Sequence, residues 1–197
     1  MRLLFSGNRA VRYGRILPAV LLPAAVAVLA ACSTTSLMTA AKNGNTARAE
    51  TLMRYGIGVN QQDNSGKTAL LYAAENGRKE AAAALLANGA DPDIRDKHGR
   101  SALMVAAEAG DAGMTELLLA AGASTTLRNP DGKPALTIAA EAGHTAVAEI
   151  LLAAGAIAEL QDNGGKTAAD RAAEAGHSAL AQILSPALPD PQTEENP

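Results

Sequence analysis

The sequence is poor in the side chains that most often form disulfides or stack on bases. In 197 residues it contains one cysteine, one phenylalanine, three tyrosines and no tryptophan. A single cysteine excludes a disulfide within the chain, so an oxidising compartment places no constraint on the fold. So few aromatic rings argue against a surface on which nucleic-acid bases stack.

Basic residues are also scarce once the N-terminus is set aside. The whole chain has 17 lysines and arginines against 20 aspartates and glutamates. Residues 1–31 contain four of the arginines and no acid, which leaves 13 basic and 20 acidic residues, a net charge of −7, in the remainder. A general nucleic-acid binder needs a surplus of basic groups. We therefore expect no nucleic-acid partner.

The first 31 residues are organised like a secretory signal. A segment with four arginines, residues 1–15, precedes an apolar run at residues 16–31 that two prolines interrupt. A membrane-spanning helix needs about 20 apolar residues, and this run is shorter. It fits the apolar region of a cleaved signal peptide, with a transmembrane anchor as the alternative.

The apolar run ends in Leu29-Ala30-Ala31-Cys32, which places the only cysteine directly after two small residues. This motif resembles the lipobox of bacterial lipoproteins. The resemblance implies cleavage before Cys32 and attachment of lipid, including palmitate-type acyl chains, to that residue. The alternative is that Cys32 is an ordinary small residue at the end of a signal.

The residues after Cys32 predict where the protein resides. In Gram-negative lipoproteins an aspartate at the next position favours the inner membrane, and the resemblance implies that Ser33 instead allows export to the outer membrane, facing the periplasm. Residues 33–36 separate Cys32 from the first predicted helix. Four extended residues span about 14 Å at most. We therefore expect residues 32–36 to be a short lipidated tether that holds the domain close to the membrane of the bacterial envelope.

The rest of the chain repeats every 33 residues. An aspartate or asparagine, followed three residues later by glycine, recurs at Asp63, Asp96, Asn129 and Asp162. The motif Ala-Ala-Glu-x-Gly recurs at 73–77, 106–110, 139–143 and 172–176. Because several fixed positions recur in register without gaps, the period indicates a stacked repeat architecture.

Each unit has the pattern of two short helices and a turn. In the unit that begins at Asp63, Thr68 is a suitable N-cap for a first helix, and Gly77 is placed to end it. The pair Leu85-Leu86 supplies bulk on a second helix, and Gly89 is placed to end that helix. A single unit cannot bury its apolar face alone, so neighbouring units must stack.

This pattern resembles the ankyrin repeat over about residues 36–185. The resemblance implies an all-α solenoid of about five helix-turn-helix units with connecting β-turns. The predicted units span about 37–62, 63–95, 96–128, 129–161 and 162–185. Residues 186–197 are rich in proline and acid, and we predict that they form a disordered tail.

The sequence also departs from the ankyrin pattern. The family motif Thr-Pro-Leu-His appears as Thr68-Ala-Leu-Leu71 in one unit and as Pro134-Ala-Leu-Thr137 in another, and its histidine is missing from every unit. Pro134 replaces an N-cap, which costs about 1 kcal/mol. We therefore predict that the unit at 129–161 is locally softer, and that the last unit, with the charged Asp170 and Arg171, caps the stack.

Motifs for catalysis or cofactor binding are absent or incomplete. Gly66-Lys67-Thr68 resembles the end of a phosphate-binding loop, but Gln61 stands where the first glycine is required. His144 and His177 hold equivalent positions in stacked units whose helices lie about 8–10 Å apart, too far for a shared metal. Their position after glycine matches the ankyrin Gly-His step and predicts a structural role. We expect no enzyme activity, no cofactor and no metal.

The remaining candidate is a surface for another protein. The resemblance implies that partners bind the concave face, made by the turn tips and the first helices. On that face we single out a basic cluster, a neighbouring acid and two ladders of charge as candidate partner-binding residues: Arg95, Lys97, His98, Arg100, Arg128, Asp131, Lys133, Glu75, Glu108 and Glu141. The ladders either bind the partner or, as the alternative, are solvated and pair between units. The basic cluster would attract an acidic partner.

Three function classes follow from these residues. The leading one is a lipid-anchored adaptor that binds a membrane-proximal protein of the envelope or periplasm. The alternative is an immunity or inhibitor protein that neutralises a secreted toxin or enzyme, which would present a similar surface. An enzyme with a site built from scattered residues is the least favoured.

Overall fold

A computed structural model of the chain describes residues 36–185. The predicted signal peptide, Cys32, most of the tether and the predicted tail at 186–197 lie outside the described residues. Ten helices and no strand occur between residues 36 and 185, which confirms the predicted all-α repeat solenoid. The helices are α1 (described from 36 to 42), α2 (Thr46–Arg54), α3 (Ala69–Glu75), α4 (Lys79–Ala87), α5 (Ala102–Ala109), α6 (Ala112–Ala120), α7 (Ala135–Glu141), α8 (Thr145–Ala153), α9 (Ala168–Glu174) and α10 (Ser178–Leu184).

The helices form two layers. The first helices of successive units pack in the order α3, α5, α7 and α9, and the second helices pack in the order α2, α4, α6 and α8. In the described part of the chain, no helix has the length and apolar character needed to cross a bilayer. Each of the last four units begins with a turn, at residues 63–67, 96–100, 129–133 and 162–166. We call each turn, together with the residue before it, a tip, and the four tips lie side by side.

Alanine and leucine make up most of the buried core in both layers. Ala73, Ala106 and Ala139 on the first helices are fully buried, as are Leu85 and Leu118 on the second helices. The small alanines allow close approach of the layers, and the leucines fill the space between them. Truncating such a buried leucine to alanine typically costs about 2–5 kcal/mol, because a cavity remains.

In three of the last four units, the first helix begins at a residue whose side chain caps it. Thr68, as predicted, accepts a hydrogen bond from the backbone N–H three residues later, and so do Ser101 and Thr167. Pro134 has the same extended backbone conformation, with φ −76° and ψ 170°, but provides no side-chain cap. The helix α7 therefore begins with one more unsatisfied N–H group than its equivalents.

The same unit contains a second defect that the sequence pattern did not reveal. Thr137 in α7 is 1% exposed, and its Oγ1 has no hydrogen-bond partner among the described residues. The equivalent positions in the two preceding units hold the apolar Leu71 and Met104, both buried, and the last unit has the exposed Asp170 there. A buried hydroxyl without a partner is destabilising. The softness of the unit at 129–161 is still a prediction, now with two physical reasons behind it.

Candidate protein-binding surface

Every turn tip is closed by one side-chain oxygen. Asp63 Oδ1 accepts hydrogen bonds from the backbone N–H groups of Ser65 and Lys67, at 2.8 and 3.0 Å. Asn129 Oδ1 makes the same two bonds to residues 131 and 133, at 3.0 and 2.9 Å. Because either aspartate or asparagine can close the turn, these two hydrogen bonds do not require the negative charge of an aspartate.

The second carboxylate oxygen of each aspartate accepts a hydrogen bond from a side chain of the same unit. Tyr72 donates its hydroxyl to Asp63 Oδ2 at 2.7 Å. Arg171 donates Nε to Asp162 Oδ2 at 2.7 Å. Arg100 donates to Asp96 Oδ2 through Nε at 3.1 Å and Nη2 at 2.9 Å.

The sequence did not lead us to predict these three donors to the turn aspartates, although its repeat pattern contained a signal for Tyr72 and Arg171. Tyr72 and Arg171 lie nine residues after their aspartates, and in the unit that has the uncharged Asn129 the same position is Ile138. A donor at this position therefore occurs only with a carboxylate. The bond from Tyr72 to Asp63 fastens this turn to the first helix of its unit.

These bonds keep the turn carboxylates ionised. Burial of Asp63 opposes its ionisation, but hydrogen bonds from Ser65, Tyr72 and the backbone outweigh burial and lower its pKa to about 2. Burial likewise opposes ionisation of Asp96, and hydrogen bonds from Arg100 together with its positive charge lower the Asp96 pKa. The pKa of Arg100 is correspondingly raised by Asp96 and Glu75 in spite of burial.

The two predicted charge ladders consist of a lysine or arginine just before each first helix and a glutamate in the last turn of that helix. The two ladders form ion pairs mainly within units. Lys67 Nζ lies 2.8 Å from Glu75, and Lys133 Nζ lies 2.6 Å from Glu141. Lys166 pairs with Glu174 in the same manner. The alternative of pairing between units does not hold for these three lysines, because each lysine folds back along its own first helix.

Arg100 is the exception, and it connects two units. Its Nη2 lies 2.9 Å from Glu75 in the preceding unit, and its Nη1 lies 3.9 Å from Glu108 in its own unit. With Asp96 also bound, Arg100 is largely neutralised. It is therefore a poorer candidate for partner contact than the sequence suggested.

A groove lies between the units at 96–128 and 129–161. It encloses about 210 Å³ and brings together five of the predicted site residues. Its lining is Arg100, Met104, Glu108, Asn129, Asp131, Lys133, Ile138 and Glu141. Glu75 reaches this cluster only through its ion pair with Arg100.

The residue before each turn forms a hydrogen-bond ladder along the tips. Gln62 Nε2 donates to the Arg95 carbonyl oxygen at 2.9 Å, and Arg95 Nη1 donates to the Arg128 carbonyl oxygen at 3.2 Å. Arg128 Nη1 continues the ladder to the Gln161 carbonyl oxygen. The four residues are 33 apart and all carry long side chains with N–H donors, a signal that the sequence offered.

The tips of the two central units carry positive charge without matching carboxylates. In the described part of the chain, Arg95, Lys97 and Arg128 form no ion pair with an acid, and Lys97 and His98 are exposed. The flanking tips instead have neutral residues at the equivalent positions, such as Gln62 and Asn64 before them and Gln161 and Asn163 after them. Of the two acids on the central tips, Asp96 is buried and bound to Arg100, whereas Asp131 is exposed.

Two other groups that could have carried chemistry have structural positions. His144 Nε2 lies 3.1 Å from the Glu108 carbonyl oxygen of the preceding unit, in agreement with its predicted structural role. Asp93 Oδ1 accepts a hydrogen bond from the Ser124 N–H at 2.9 Å. Asp93 thus joins two units.

Comparison with known proteins identifies the repeat. A family model described as ankyrin repeats (3 copies) matches residues 8–96, 37–129 and 103–194, and these overlapping matches cover most of the chain. No curated protein matches the sequence. The repeat is a protein–protein interaction module, which fits a surface of charged tips and paired ladders.

Proposed function

The chain belongs to the ankyrin-repeat proteins, and we propose that it is a non-catalytic, lipid-anchored member that holds another protein of the bacterial envelope. The binding surface in this proposal is the pair of central tips, with Arg95, Lys97, His98 and Arg128. Asp131 and the groove beside it form its margin. The partner is a protein with an acidic surface.

One observation carries this proposal: among the described residues, Arg95, Lys97 and Arg128 are not paired with an acid, whereas the charged residues of the groove largely are. Lys133 and Glu141 are already paired, and so are Lys67 and Glu75. A partner must break such pairs before it can bind these side chains. Arg95, Lys97 and Arg128 need no such exchange, so they can attract and bind an acidic group directly.

The lipobox at residues 29–32 supports the location. A lipid on Cys32 would hold the stack within a few residues of a membrane, which the proposal places at the periplasmic side of the outer membrane. A single acyl chain gives only weak membrane binding, and several chains are needed for stable attachment. The partner would accordingly be membrane-proximal.

The tips can be tested without breaking the hydrogen-bond ladder. Gln62 makes the same interunit bond as Arg95, so R95Q and R128Q should keep the bond and remove the charge. In cells that express the full-length protein with a photo-crosslinking residue at position 98, the R95Q/K97Q/R128Q variant should lose the crosslinked partner. The wild-type crosslink should weaken as salt is raised, because exposed charges are screened.

A matched control removes the same number of positive charges elsewhere. Arg48, Arg54 and Lys79 are exposed residues of α2 and α4, away from the tips. The R48Q/R54Q/K79Q variant should capture the partner as the wild type does. Equal losses in both triple variants would show that only net charge matters, and full capture by the tip variant would contradict the proposed surface.

The anchor has its own test. Wild-type protein should incorporate a palmitate analogue and fractionate with membranes. C32S should do neither, although its repeat domain should give the same circular dichroism. Labelling of C32S, or a soluble and unlabelled wild type, would contradict the anchor and leave the tip proposal standing.

A further inference from the structure

The three junctions between the last four units are not equivalent. The junction between the units at 63–95 and 96–128 is held at its tips by a backbone bond, in which Lys97 N–H donates to the Ser65 carbonyl oxygen at 3.0 Å. The last junction has the same bond, from Asn163 N–H to the Asp131 carbonyl oxygen at 2.9 Å. Asn163 adds a side-chain bond to the Pro130 carbonyl oxygen at 2.8 Å.

The middle junction, between the units at 96–128 and 129–161, cannot form this bond. Its equivalent donor position is Pro130, and proline has no backbone N–H. Pro130 instead lies against Gly99, where an added Cβ would come within 2.8 Å of the proline ring.

Two further links of the first junction are missing from the middle one. Arg100 forms an ion pair with Glu75 across the first junction, whereas the equivalent Lys133 pairs inside its own unit with Glu141. Asp93 Oδ1 accepts the Ser124 N–H across the first junction. The residue equivalent to Asp93 is Thr126, and its hydroxyl lies 3.1 Å from the hydroxyl of Ser124 in the same unit.

The unit beyond the middle junction is also the one with internal defects. Pro134 leaves the start of α7 without a side-chain cap, and the buried Thr137 hydroxyl has no partner among residues 36–185. In a stacked repeat, stability is the sum of unit terms and neighbour terms. The middle junction keeps the side-chain bonds from Arg95 to the Arg128 carbonyl oxygen and between His144 and the Glu108 carbonyl oxygen. Of the three junctions it alone lacks the backbone bond between the tips, and it adjoins the weakened unit.

We infer that the stack has a built-in opening point at the middle junction, and that residues 129–185 detach and unfold there as one cooperative block. The last junction keeps its two bonds from Asn163, so the units at 129–161 and 162–185 leave together. The opening separates Arg128, the residue just before the detached block, from the Gly132 and Gln161 carbonyl oxygens to which its side chain donates. This inference does not depend on the proposed partner.

Hydrogen exchange of the full-length protein without partner tests the inference. Amides in 129–161 and 162–185 should share one exchange rate, about tenfold or more faster than the protected amides of 63–128. Simple fraying from the C-terminal end would instead give a gradient, with 162–185 fastest and 129–161 intermediate. A gradient without a step at residues 128 and 129 would overturn the inference.

Two variants locate the cause. P130N introduces the residue found at position 163 and restores both donors, so it should slow exchange in 129–185 by about fivefold and shrink the step. N163P removes both donors from the last junction, and a proline already occupies the equivalent turn position at 130. It should create a new step between 161 and 162 and leave 63–128 unchanged. Failure of P130N to reduce the step would also overturn the inference.

Discussion

Two buried threonines differ in one respect and allow a direct test of the weak unit. Thr137 is 1% exposed, and its hydroxyl has no partner between residues 36 and 185. Thr115 is fully buried, and its hydroxyl donates to the Asp111 carbonyl oxygen at 2.8 Å. Valine has nearly the same shape as threonine and is also branched at Cβ, so replacing either residue changes its polarity without opening a cavity.

The two substitutions should change stability in opposite directions. A buried hydroxyl without a hydrogen bond costs about 1–3 kcal/mol, so T137V should raise the free energy of unfolding by about 1 kcal/mol. T115V removes a hydrogen bond, but the Asp111 carbonyl still accepts the Thr115 N–H at 2.9 Å. The expected loss in T115V is therefore about 0.5–1 kcal/mol.

Thermal and urea unfolding followed by circular dichroism would measure both effects. For a domain of this size, 1 kcal/mol corresponds to about 3 °C in Tm. Hydrogen exchange should locate the gain of T137V in residues 129–161. If T137V destabilises the protein as much as T115V does, the Thr137 hydroxyl is hydrogen-bonded in solution and the explanation of the weak unit fails.

Three further predictions concern the caps and the turn carboxylates. P134T should add a cap worth about 1 kcal/mol but lose part of the rigidity of proline, so the free energy of unfolding should rise by about 0.5 kcal/mol. We expect proteolysis of the wild type to cut first in 129–161, and P134T should delay that cut. A first cut in another unit would contradict this prediction. The shift of the Asp63 pKa from 3.8 to about 2 corresponds to about 2.4 kcal/mol. Solvent screening reduces this value, so D63N should lower the free energy of unfolding by about 1 kcal/mol at neutral pH. Because the folded pKa lies below the unfolded one, the difference should disappear between about pH 4 and pH 2 in acid unfolding, and a pH-independent difference would refute the reasoning. R100Q should cost about 2 kcal/mol in urea unfolding by leaving the buried Asp96 carboxylate without its cation, and D96N/R100Q should recover most of that loss; equal destabilisation of both variants would rule out the charge as the cause.

The sequence was sufficient for the fold because its main determinants are local and repeated. The threonine and serine N-caps are visible as residue types at a fixed spacing, and so are the glycines that end the helices with positive φ, such as Gly110 at 70°. The family match and the helices agree with that interpretation.

The parts of the surface that the sequence did not predict depend on where long side chains point. Lys133 and Arg100 hold equivalent positions, but Lys133 pairs within its unit and Arg100 reaches the preceding one. Residue type and period cannot distinguish these outcomes, because a flexible side chain has several acids within reach. The unpartnered Thr137 hydroxyl was equally hidden, because a threonine at that position could have bonded to a neighbouring carbonyl.

The hydrogen-bond ladder orients the arginine side chains of the basic tips. Arg95 and Arg128 each donate one Nη1 group to the next unit, which holds the guanidinium in a fixed orientation. A guanidinium has five N–H donors, so the remaining donors can still bind a carboxylate. Because the side chain is already ordered, binding loses less conformational entropy than it would at a freely moving lysine. The contacts that align neighbouring units thus also orient the charges proposed to hold the partner, and an opening at the middle junction would release the Arg128 side chain from the Gln161 carbonyl oxygen.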